Sequence, residues 1–173
     1  QLDASYDELM TPRSSLQDVY DQVIADCDVA IADLPGQAMS GKATKWAAHA
    51  LKSRAALYAA RIAKYHPQSS DGLTSIPAGM AAGYYTMSHA SASAIIDSGK
   101  HPLHTGGGTY QKTYSEVLTK KGNTEMIFVS EYDLGLGKTH MHGYFNMPDG
   151  FKSGWGSNTH IYEASVERFE YKD

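Results

Sequence analysis

Eight histidines, 19 carboxylates, one cysteine and a set of aromatic residues spaced by glycine are the groups of this 173-residue chain that could do chemistry. His140 and His142 stand two apart, which on a strand puts both on one side, as a metal pair needs. No Asp, Glu or third His stands at a spacing that completes that set. His101 and His104 flank Pro102-Leu103 and read as turn or surface residues, while His49 and His89 fall inside helical patterns, where packing is their expected role. Cys27 is alone, so it makes neither an internal disulfide nor a cysteine-based zinc site. Gly137-Lys138-Thr139 has the end of a phosphate loop without its first glycine, Gly106-Gly107-Gly108 follows no strong strand, and there is no Gly-x-Ser-x-Gly elbow. Nothing singles out a pair of acids for glycoside hydrolysis, because their separation in space is not readable from sequence. The expectation is therefore no catalytic residue, no metal and no cofactor.

The aromatic residues carry a sharper signal. A sugar ring has an apolar C–H face and a rim of hydroxyls, so a site for it needs a flat aromatic platform with a few planar polar groups. The run His142-Gly143-Tyr144-Phe145-Asn146-Met147 has that composition, as does the group Trp155, Asn158, His160 and Tyr162. Trp155 stands between Gly154 and Gly156, which give no side-chain cover and let the backbone turn freely. The candidate ligand contacts are Trp155, Tyr144, Asn146 and Asn158. The same aromatics also suit a satellite core beneath loops, and both readings stay open at this point.

Elements must hold these groups in place. Of 21 alanines, 20 fall at or before Ala94, and ten of 16 glycines fall at or after Gly106, so the first hundred residues read as helical and the rest as loop-rich with short strands. Leu16, Val19, Tyr20, Val23, Ile24, Cys27, Ala30, Ile31 and Leu34 recur at three- and four-residue steps and predict one helix, with Ser15 and Asp18 at its start and Pro35-Gly36 at its end. A second helix is predicted over 44–65, with Thr44 as N-cap and His66-Pro67 as the stop. Trp46, Leu51, Leu57 and Tyr58 are expected to be buried between the first and third helices, and the alanines form a second ridge that lets another helix approach closely. Arg54 and Arg61 lie one heptad apart and snorkel or pair with carboxylates. A third helix is predicted over 81–98, with Gly99 at C′. Tyr110 to Thr119 reads as a short helix, and Glu125 to Val129 as a buried strand.

The whole is a mainly α chain: an αα-hairpin stack like the tetratricopeptide repeat, an α–α superhelix, with a loop-rich C-terminal part containing short strands. No linker divides it, so residues 1–173 are expected to be one domain, with a helical portion at 1–104 and an irregular portion at 105–173. A net charge of -4 argues against nucleic acid as a partner, since phosphate binding needs a basic surface. No apolar run approaches the roughly 20 residues that span a bilayer. The chain starts without an initiator Met and without a signal segment, and reads as an excerpt from a longer, processed polypeptide.

The order of its pieces resembles the SusD/RagB family of nutrient-binding outer-membrane lipoproteins. The resemblance rests on Pro12 to Tyr20, Ile24 to Ala30 closing at Leu34-Pro35, Gly41 to Leu51 running into Arg54 to Tyr58, Ile95 to Gly99 before Leu103, and Thr124 to Phe128. Gly154-Trp155-Gly156 ahead of Val166 to Glu170 fits the same order. The resemblance covers nearly the whole chain and implies a middle portion of a longer protein. It implies capture of starch, other glycans or nutrients at the cell surface, delivery to a SusC-like, TonB-dependent outer-membrane transporter, and no catalytic activity. The family's lipid-carrying cysteine lies near the mature N-terminus, and Cys27 is not that residue. A helical-repeat scaffold that binds protein and no sugar is the alternative expectation.

Overall fold

The computed structural model describes residues 10, 12–39, 41–132, 135, 137 and 138. The chain clusters into two compact units, Gln1–Ser130 and Glu131–Asp173. The described part is mainly α, and no strand occurs among the described residues. Its helices are α1 (Leu16–Asp33), α2 (Lys45–Tyr65), α3 (Ala81–Asp97) and α4 (Tyr110–Thr119), with one 3-10 turn at Ala78–Met80 ahead of α3.

Local chemistry sets each boundary. The Ser15 hydroxyl accepts the Asp18 N–H at 3.1 Å and donates to the Asp18 carboxylate at 2.7 Å, closing the start of α1. Thr44 is the N-cap of α2 in backbone geometry, yet its hydroxyl makes no capping bond and is buried without a partner among the described residues. His66-Pro67 stops α2, because a residue before proline is pushed out of the helical region. Gly99 follows α3 at φ +61°, the left-handed conformation a helix-terminating glycine supplies.

Helix α2 lies centrally: it packs against both α1 and α3, and the Tyr84 hydroxyl of α3 reaches Asp21 of α1. The α1–α2 pair is antiparallel, since Lys52 Nζ meets Asp28 Oδ1 at 2.5 Å while the Lys45 N–H reaches the Pro35 carbonyl at 3.1 Å. The buried face of α2 is Ala48, Ala55, Ala56, Ala59, Ala60 and Ala63. Four of these, Ala56, Ala59, Ala60 and Ala63, join Ile24, Ile76, Ala81 and Tyr84 in one core.

This corrects the expectation for the large side chains of α2. Leu51, Leu57 and Tyr58 are not buried: Leu57 is 43% and Tyr58 59% exposed. Trp46 is half-buried, its indole N–H bonded to the Gly36 carbonyl at 2.9 Å instead of lying between helices. The physical reason is close approach. A helix sandwiched between two others gains most contact where methyl side chains let both backbones come near, so the alanine ridge turns inward and the bulky residues move to the rim.

The strand expected at Glu125–Val129 is absent as well. A turn at Thr124-Glu125 and a bend at Ile127-Phe128 replace it. Among the described residues no neighbouring strand accepts its backbone bonds. Helix α4 packs against none of the other described helices. It is tied to the loop before it and the turn after it by polar contacts, described next.

Candidate functional site

The first candidate is an open groove of about 810 Å³ between α1 and α2. Val23, Cys27, Ala30 and Leu34 line one wall, and Ala43, Ala47, Ala50 and Leu51 the other. Ile127 and Phe128 also line it, and Phe128 is 61% exposed. Asp26 and Arg54 are the only charged residues among the described lining, one on each wall. Cys27 is buried, and burial first, then Asp28 and Asp26 against the opposing pull of Lys52, pushes its thiol above the ordinary value. That disfavours the thiolate, the reactive form of the side chain.

The second is a polar cluster around His104. Its ring Nε2 is 2.8 Å from Glu116 Oε2, and its backbone N–H donates to Glu125 Oε1 at 2.7 Å. The Thr113 hydroxyl donates to the Gly106 carbonyl, and the Asn123 side-chain amide donates to the Val117 carbonyl at 2.8 Å. Gly107 has φ +76°, and a Cβ there would stand 2.7 Å from the Thr113 backbone nitrogen, so only glycine fits. The hydrogen bond from His104 holds the Glu116 carboxyl below its ordinary value. His104 is thus a clasp between loop, helix and turn, not the surface residue its sequence neighbours suggested. His101 also departs from that expectation: both its ring nitrogens are buried and have no hydrogen-bond partner among the described residues. His89, expected to pack, is exposed.

The third is the outer face of α4. Tyr110, Tyr114 and Leu118 recur at four-residue steps and are all exposed, Tyr110 at 96%. Glu116 and Thr113, on the same helix, bind it to its loop. The four-residue spacing of Tyr110, Tyr114 and Leu118 is a signal present in the sequence itself.

Other titratable groups serve the packing. The Tyr84 hydroxyl, carried by α3, donates to Asp21 Oδ1 of α1 at 2.5 Å. Burial first, then that bond and the Asp21 charge, raise the Tyr84 phenol well above its ordinary value. His49 stacks on Trp46 with ring centroids 6.0 Å apart, and burial first, then Lys52 and Lys45, lower its affinity for a proton. Among the described residues no group of three or more His, Cys, Asp or Glu is placed to hold a metal ion. Nor is any described helix long and apolar enough to cross a membrane.

The four ligand contacts expected from sequence, Tyr144, Asn146, Trp155 and Asn158, lie outside the described residues, as do His140 and His142. Comparison of the chain with models of protein families, with curated proteins and with solved structures finds no match.

Proposed function

We propose that this chain is part of a non-catalytic binding protein, SusD-like in character, that captures oligosaccharides or another nutrient and passes them to a TonB-dependent outer-membrane transporter. On this reading the protein is held at the outer face of the outer membrane by a lipid anchor. The helices α1 to α3 are the start of a tetratricopeptide-like superhelix that serves as scaffold and as docking surface for the transporter. Ligand contacts come from the residues after Gly106, with Trp155 as the principal platform and Tyr144, Asn146 and Asn158 around it.

The observation that carries the reading is the order of the five sequence segments that resemble the SusD/RagB family. Two features of the described residues support it. The tyrosines of α4 stand exposed on a helix fixed by its own loop, as a platform for a sugar face requires. His104, Glu116 and Glu125, at this helix and the segments that flank it, are taken up in holding the loop, which suits binding better than turnover.

A single stacked ring contributes on the order of 1–3 kcal/mol, by analogy with other apolar burial. That is weak binding unless contacts add, which fits a protein that must release its ligand. The reading is tested by calorimetric titration with α-gluco-, β-gluco-, xylo- and manno-oligosaccharides, and by crosslinking to the co-expressed transporter. Crosslinks confined to residues beyond Gly106 would count against docking through the helices. The second reading, a protein-binding helical scaffold, is favoured by the open groove between α1 and α2. It predicts no heat with any sugar.

A further inference from the structure

The groove between α1 and α2 takes no part in the proposed sugar capture, and its walls are charged oppositely. Asp26 stands on the α1 wall and Arg54 on the α2 wall. They are level with each other, because the antiparallel pairing that joins Asp28 to Lys52 also brings position 26 beside position 54. Asp26 accepts only from Gln22 of its own helix, at 2.7 Å, and Arg54 makes no hydrogen bond or ion pair among the described residues.

Each charge sits in an apolar stripe. On α1 the stripe is Val19, Val23, Asp26 and Ala30, at steps of four, three and four. On α2 it is Leu51, Arg54 and Tyr58, and both apolar members are about half exposed or more. The two stripes complement each other in size as well as charge. Small Ala30 is level with Leu51, and Val23 with Tyr58, as Asp26 is with Arg54.

A two-fold axis running along the groove uses that complementarity twice. It exchanges the walls and preserves the levels, so α1 of one copy comes over α2 of the other. Asp26 then meets the partner's Arg54, and Val23 meets the partner's Tyr58, in both directions. An axis across the helices would instead set α1 on α1, and α1 carries five aspartates and no basic residue. Like charges facing one another exclude that arrangement. Phe128, which lines the groove and is exposed, adds apolar surface to it.

We propose that the α1–α2 groove is the interface of a two-fold symmetric dimer of this chain, with Asp26 on one copy paired to Arg54 on the other. The occupant is thus a second copy, chosen by the opposite charges at matched height. The dimer does not depend on sugar capture, and its test reads mass, not ligand.

The experiment is sedimentation equilibrium of the full chain and of Asp26→Arg and Arg54→Glu, each checked for unchanged helicity by circular dichroism. The chain sediments at twice 18.8 kDa at the higher loading concentrations. Each single reversal weakens the dimer about tenfold or more. An equimolar mixture of the two reversed variants restores it. The arginine introduced at position 26 of one copy then meets the glutamate introduced at position 54 of the other, while the native pair forms alongside. A pairing within one copy could not give that rescue. Tyr58→Ser, which leaves the charges alone, weakens the dimer too. A monomer at every concentration, a dimer indifferent to the reversals or to Tyr58→Ser, or a mixture that stays monomeric overturns the proposal.

Discussion

Tyr84 shows how one side chain ties three helices. Its ring lies among the alanines of α2, it is carried by α3, and its hydroxyl reaches Asp21 of α1. Tyr84→Phe keeps the ring and removes the bond to a carboxylate, which should cost about 1.5–3 kcal/mol in a denaturant titration. A loss below about 0.5 kcal/mol would mean that water replaces Tyr84 at Asp21 without penalty. Glu116 gives a pH dependence of definite sign. Its carboxyl is held below the ordinary 4.5, chiefly by His104, so its contribution is present above that pH and disappears as pH falls through the folded value. Thermal melts should therefore show part of the acid destabilisation below pH 4.5 removed in Glu116→Gln; identical acid limbs in the two proteins would contradict the clasp. Neither pairing was legible in the sequence. Asp21 and Tyr84 are 63 residues apart and His104 and Glu116 are 12 apart, and nothing local joins them.

Among elements, the helices were legible and the face of α2 was not. Ser15, Pro35, His66-Pro67 and Gly99 mark boundaries by local chemistry, which acts over a few residues and is written there. The packing face depends on what comes alongside. α2 has apolar residues all round, so period alone leaves its orientation open, and the larger side chains drew the expectation the wrong way. Burial reverses the expected costs of substitution. Leu57→Ala should cost only about 1 kcal/mol, since roughly half of the side chain is already in water. Ala59→Leu should cost more, about 1–3 kcal/mol or beyond, because Ala59 is fully buried between helices with no space for added carbons. Paired denaturation curves of the two variants check the order; a costlier Leu57→Ala would restore the discarded orientation. The apolar run Ile127-Phe128-Val129 was read as strand for a related reason. A short apolar run fits either a strand or a segment laid on helices, and only the neighbours decide.

At the scale of the molecule, the described helices α1 to α3 form one α layer. Its core is largely alanine, and its open groove and the exposed tyrosines of α4 are surfaces available to partners. The proposed function rests on an order of segments and on a composition of loops, because a sugar site, unlike a metal or a phosphate site, imposes no fixed spacing that a sequence would display. The central claim is that the part after Gly106 captures sugar through an aromatic platform. The most direct test is Trp155→Ala, with oligosaccharide affinity by calorimetry and melting temperature measured on the same protein. The account predicts that affinity is lost while the melting temperature stays unchanged. Unchanged affinity, or a large fall in melting temperature, would contradict it.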